Sequence, residues 1–122
     1  MKIKELLFCT TMLLLASCGQ QHKAETLVED FMDKNLKSPS NVSIIEFAKI
    51  DSTKRINDSI ITNMRTVAEQ SERYNQGIVY DKSGHGKTLI TLRVQYRIAN
   101  DTCSDTYYLD KELTKVVAFK TN

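Results

Sequence analysis

Proline occurs once and glycine four times in the 122 residues, and no stretch is of low complexity, so a disordered or collagen-like chain is excluded. Charge of one sign is equally scarce. The 17 basic and 15 acidic residues leave a net +2, and no window carries five like charges in a row, so the footprint of a nucleic-acid binder is missing. No internal repeat is visible. Two histidines, His22 and His85, and three cysteines, Cys9, Cys18 and Cys103, are too few and too scattered for a tetrahedral zinc site. What is present, 41% hydrophobic and 26% charged residues, is ordinary globular composition, and the length predicts one domain rather than a multidomain enzyme.

The amino-terminal segment has three zones. Lys2 and Lys4 supply positive charge, Leu6 to Leu15 is mainly apolar, and Leu15-Ala16-Ser17-Cys18 closes the run with small residues. This is the layout of a secretory signal, and its apolar stretch is about half the roughly 20 residues that span a bilayer core, so no persistent transmembrane helix is expected. Leu15-Ala16-Ser17-Cys18 resembles the lipobox of bacterial lipoproteins at all four positions. That resemblance implies a diacylglyceryl group on the Cys18 thiol, cleavage between Ser17 and Cys18, and fatty acylation, palmitate for example, of the new amino terminus. Two or three chains anchor durably, at about 0.8 kcal/mol per buried CH₂. Membrane lipid, reached through acylated Cys18, is then the first partner expected. Gly19 rather than Asp follows the cysteine, so the retention rule of some Gram-negative inner membranes gives no reason for retention, and the outer membrane, facing the periplasm or the exterior, is the expected location.

The expected organisation is a signal peptide over 1–17, a lipid-anchored tether over 18–23 and one domain over 24–122. With Cys9 removed and Cys18 acylated, Cys103 is the remaining thiol, expected as an inert core group, and no internal disulfide can form. The 105 mature residues (122 minus 17) bury about two thirds of their unfolded surface on folding, enough for independent stability.

Ala24, Leu27, Val28, Phe31, Met32 and Leu36 recur at helical spacing, and Ser38-Pro39 stops the run, which predicts an amphipathic helix over 22–37. Val42 to Ile50 reads as a strand, with Val42, Ile44, Ala48 and Ile50 on one face and Ile45 and Phe47 on the other. A second helix, capped by Asn57 or Asp58, carries an Ile60, Ile61, Met64, Val67, Ala68, Ser71 stripe and stops near Gly77; Ile78 to Tyr80 is expected as a short strand. Leu89 to Ala99 alternates without a break, apolar at Ile90, Leu92, Val94, Tyr96 and Ile98, polar at Thr91, Arg93, Gln95 and Arg97. A two-residue turn at Asn100-Asp101 would place Ile98 opposite Cys103, Tyr96 opposite Asp105, Val94 opposite Tyr107 and Leu92 opposite Leu109. A second turn within Asp110 to Thr114 leads to Val116–Phe119. The predicted class is α+β: an antiparallel meander whose apolar face is covered by one or two amphipathic helices.

The element order, with Leu36-Lys37-Ser38-Pro39-Ser40 closing the helix and Leu109-Asp110-Lys111 within the meander, resembles small bacterial lipoproteins with cystatin-like or NTF2-like domains. The resemblance implies a helix cradled by a curved sheet and a binding or assembly role. The Gln-x-Val-x-Gly motif of inhibitory cystatins is missing.

Catalytic motifs fail on inspection. Gly86-Lys87-Thr88 ends like a phosphate-binding loop, but Asp81 stands where its first glycine belongs and a strand, not a helix, follows. Asp81, Ser83 and His85 are triad residue types crowded into one loop, without the preorganised surroundings a triad needs. Asp51-Ser52-Thr53 and Asp58-Ser59-Ile60 look like Asp-Ser/Thr-apolar sites that some envelope bacteria O-glycosylate. Asp105 is more telling: the register sets its carboxyl on the apolar face, where it needs a partner, and a hydrogen bond to Tyr96 or an edge position near water is expected. Two functional readings follow. In the first, a non-catalytic module binds a protein partner in the envelope through Arg93, Arg97 and Tyr108 on the wet face, or a small ligand, and needs no cofactor. In the second, a small NTF2-like enzyme uses a pocket of Tyr96, Asp105 and Tyr107 beside Phe31. A deep cavity holding Asp105 would favour the second, and a filled core with an exposed patch the first.

Overall fold

The computed structural model describes residues 19–122 with their side chains; before Gly19 only the backbone of the first helix is placed. The lipidation and cleavage expectations at Ser17 and Cys18 lie outside the described residues. Helix α1 is bounded as Lys2–Asn35 and is followed by a 3-10 turn, Pro39–Asn41. Then come β1 (Val42–Phe47), β2 (Asp51–Thr53), α2 (Asp58–Ala68), β3 (Leu89–Ile98), β4 (Asp101–Asp110) and β5 (Val116–Thr121). The sheet is antiparallel, ordered β1-β3-β4-β5, with β2 also pairing β3. The class is α+β, as the alternation and amphipathic patterns predicted.

Ala24, Val28 and Met32 of α1, and Leu36 just after it, cluster with Leu92, Val94, Tyr96, Tyr107, Leu109 and Phe119, all buried. Residues 19–23, expected as a polar tether, are helical. Gln21 is docked: its Nε2 donates to the Ala48 carbonyl at 3.0 Å and its Oε1 accepts from the Ile50 amide at 2.9 Å. The cause is the break between β1 and β2, which leaves a carbonyl and an amide off the sheet ladder, and a carboxamide satisfies both.

The expected single strand over Val42 to Ile50 is interrupted. A bulge between Ile44 and Glu46 inserts Ile45, so Phe47 returns to the face of Val42, and β2 resumes on β3 after the break. Asn57 caps α2 by accepting from the Ile60 amide at 2.9 Å. The helix ends at Ala68, short of Gly77, because the Glu69 carboxylate accepts from the Gly77 and Ile78 amides and folds residues 69–77 into a loop; Gly77 sits at φ 74. Ile78 to Tyr80 is not a strand.

The hairpin turns one residue earlier than predicted. Ile98 pairs with Asp101, the turn is Ala99-Asn100 with Ala99 at φ 54, and Tyr96 faces Cys103, Val94 faces Asp105, Leu92 faces Tyr107 and Ile90 faces Leu109. Each predicted partner moves by two residues, an even number, so every side chain keeps its predicted face. Left-handed backbone at an alanine costs on the order of 1 kcal/mol, small beside the apolar burial that this register completes.

The two helices cover different faces of the sheet. Ile61 and Met64 of α2 pack with Leu89, Tyr108, Val117 and Ala118, and strand alternation sets Leu89 and Tyr108 on the face away from α1. Ile60 and Val67, expected in the buried stripe, are exposed.

Candidate functional site

The polar centre of the molecule is built on Asp105, in the middle of β4, whose side chain is fully buried. The alternation that turns Tyr107 and Leu109 inward turns Asp105 inward too. Its surroundings come from the loop after α2. That loop is fastened to the exit of α1: the Lys37 amide donates to the Arg73 carbonyl at 2.9 Å, the Asn75 amide donates to the Asn35 carbonyl at 2.7 Å, and Leu36 and Tyr74 form an isolated antiparallel bridge. Arg73 and Tyr74 are thereby held over the end of the sheet.

Asp105 Oδ1 accepts from Arg73 Nη2 at 2.7 Å, and Oδ2 accepts from the Tyr74 and Tyr96 hydroxyls at 2.6 and 2.5 Å. Tyr74 has used its one hydroxyl proton on Asp105, so the 2.5 Å contact between Tyr74 and Tyr107 has Tyr107 as donor. Arg73 Nε also donates to the Tyr96 hydroxyl at 3.0 Å. The rings are packed as well, Tyr74 4.4 Å and Tyr107 5.2 Å from Phe119 between centroids, with Phe31 5.6 Å from Tyr107.

The electrostatics follow from burial and from this wiring. Burial works against the Arg73 charge, but the Asp105 carboxylate and the Tyr96 hydroxyl outweigh it and hold the guanidinium above its ordinary range. Burial, reinforced by neighbouring Tyr107 and Asp105, pushes Tyr74 well up. Tyr96 is raised by burial and by its bond to Asp105, and Tyr107 by burial and by neighbouring Asp105. All three tyrosines are therefore neutral hydrogen-bond donors at physiological pH.

A general base needs a free lone pair within reach of a substrate proton. The Asp105 carboxyl has three of its four lone-pair positions taken by internal donors and is fully buried, and Tyr96, Asp105 and Tyr107, the expected pocket residues, are brought together in the core. The arrangement works as a pin joining α1, the 69–77 loop and strands β3 and β4. Arg73 is its one outward-reaching member, with 30% of its side chain exposed. It emerges in an open groove of about 770 Å³ lined by Gln70, Ser71, Glu72, Arg73, Asn100 to Cys103 and Thr121. Cys103, a free thiol, is half-buried there and packs against the core.

The wet-face expectation needs one correction. Arg93 and Arg97 are exposed as predicted, but Tyr108 is 7% exposed, because α2 covers that end of the face instead of sharing the α1 side. Sequence reasoning also missed Arg73 and Tyr74. The one signal for them was the demand that a buried Asp105 be partnered by a cation as well as by hydroxyls. In the 81–86 loop the Ser83 hydroxyl donates to Asp81 at 2.6 Å and His85 Nδ1 contacts the Gly86 carbonyl, so these groups do not form a relay. Gly86 to Thr88 leads directly into β3.

Among the described residues no group of His, Cys, Asp or Glu is placed to hold a metal ion, and no helix is long and apolar enough to cross a membrane. No protein-family model, curated protein or solved structure matches this chain.

Proposed function

We propose that this chain is a bacterial envelope lipoprotein, anchored through acylated Cys18, whose domain is a non-catalytic module that binds a protein or ligand at its surface. The observation that supports the non-catalytic half is the complete burial of the Asp105 carboxyl under three internal donors, Arg73, Tyr74 and Tyr96. The polar core residues are spent on holding the fold, which leaves binding to exposed surface: the Arg73 groove and the Arg93, Gln95 and Arg97 face. The lipobox at Leu15-Ala16-Ser17-Cys18 supports anchoring, with the outer membrane as the proposed location.

The test has two parts. Labelled palmitate should enter the wild-type protein in a bacterial host and be lost in Cys18→Ser, which should also leave the membrane fraction. Photo-crosslinkers placed at Thr102 and at Arg97 should then capture a defined envelope component in cells, and a bulky Gln70→Trp or Arg93→Glu should abolish capture at its own site. Acylation without site-dependent capture would retain the anchor and remove the binding role.

A further inference from the structure

We infer that the domain stands on the membrane in a fixed sense, with the end bearing the β1–β2 connection and the β4–β5 turn against the lipid headgroups and the Arg73 groove facing away. The inference rests on the lipid-anchor reading and adds to it an interaction surface whose partner is the bilayer itself. Its basis is a short leash. Gln21, only three residues after Cys18, is already locked to the body by its bonds to Ala48 and Ile50. Three residues reach at most about 10–11 Å when fully extended, whatever their conformation. The acylated sulfur is therefore confined close to this one end of the molecule.

Several observations mark out that end. Lys23 donates to the Glu112 carbonyl at 3.2 Å, so the start of the described part of α1 meets the β4–β5 turn. Lys115 of that turn holds the 81–86 loop through the Ser83 carbonyl at 2.8 Å and hydroxyl at 2.6 Å. Lys49, Lys111 and Glu112 are exposed there. The opposite end is far off: the ten residues of β3 extend about 33 Å from Leu89 to the hairpin at Ala99-Asn100. From Gln21 to Asn35, fourteen helical steps along α1 cover about 21 Å. A leash of about 11 Å holds the Gln21 end at the headgroups, whereas the Asn100 end touches them only when the whole body lies on its side. In the upright pose the groove lined by Gln70 to Arg73 and Asn100 to Cys103 is presented to the aqueous compartment, where a soluble partner can reach it. Lysines and acids are mixed at the near end, so chain length rather than charge sets the orientation.

The test uses the full-length lipidated protein with Cys103 replaced by Ala and a single environment-sensitive fluorophore on Lys49→Cys, Lys111→Cys or Asn100→Cys. The proteins are reconstituted into phosphatidylethanolamine and phosphatidylglycerol vesicles containing headgroup-spin-labelled lipid. The expected result is loss of most emission at positions 49 and 111 and its retention at 100, in protein that floats with the vesicles. Equal quenching at all three positions in floating protein would overturn the orientation and leave the anchor intact. Protein that carries no fatty acid and does not float would overturn both. A Gly/Ser insertion after Gly19, which lengthens the leash without touching the Gln21 contacts, should equalise the three positions; persistent selective quenching would show that the leash is not the cause.

Discussion

The Arg73 guanidinium and the Asp105 carboxyl meet at 2.7 Å across 32 residues of sequence, the first at the rim of a groove and the second fully buried. Through this contact a loop with no regular secondary structure is tied to the centre of the sheet.

Removal of one partner from such a pair leaves the other without its counter-charge. Asp105→Ala is expected to cost about 3–5 kcal/mol, because it strands Arg73, Tyr74 and Tyr96 together. Arg73→Ala should cost less, about 1–3 kcal/mol, because water already screens part of the guanidinium. The double change Arg73→Ala with Asp105→Ala should be milder than the sum of the two single changes. Urea unfolding midpoints of the four proteins check the cycle. Strict additivity would show that the pair does not act as a unit.

Stability should fall at both extremes of pH, for separable reasons. Burial works against the Asp110 charge, but bonds from Thr114 and Lys115 outweigh it and hold the carboxyl below its ordinary value. A depressed folded pKa contributes stability that is present above about pH 3.9 and lost as pH falls through the folded value; Asp110→Asn should flatten that acid limb. Tyr74, Tyr96 and Tyr107 are raised, so their contribution is present below about pH 10 and lost above it, when the unfolded chain ionises first. Ultraviolet titration should show these three hydroxyls ionising together with unfolding, and replacement of all three by Phe should remove that coincidence.

Tyr108 distinguishes the observed cover of the sheet from the one that strand alternation suggests. A solvated tyrosine changes stability by about 0.5 kcal/mol or less when replaced, whereas one buried under α2 against Ile61 and Met64 should cost about 3–5 kcal/mol on truncation to Ala. Thermal unfolding of Tyr108→Ala reads the difference, with Arg93→Ala as the exposed control on the same face.

The hairpin turn carries an alanine at φ 54, a conformation that glycine adopts without steric cost. Ala99→Gly is therefore expected to stabilise by about 0.5–1 kcal/mol despite the greater freedom of the unfolded glycine. Had the turn been Asn100-Asp101, the same change at the end of a strand would destabilise.

Much of the fold was legible because it rests on periodicity. Helical spacing from Ala24 to Leu36 and alternation from Ile90 to Ile98 each report a buried face directly, and a hairpin shift by an even step preserves that face. Asp105 could therefore be assigned to the core beside Tyr96 with the turn misplaced by one residue. The bulge at Ile45 was not legible, because a bulge adds a residue without any change of composition.

Sequence alone determined the α+β class, a helix cap at Asn57 or Asp58 and the buried setting of Asp105. Tertiary structure decided which face α2 covers, the choice of Arg73 and Tyr74 as partners for Asp105, and the docking of Gln21 on Ala48 and Ile50. Local patterns state that a side chain is buried or a backbone group unpaired, since that depends on neighbours a few residues away. The identity of what satisfies it depends on where a loop runs in space, and contacts that close 29 or 32 residues of chain leave no periodic trace.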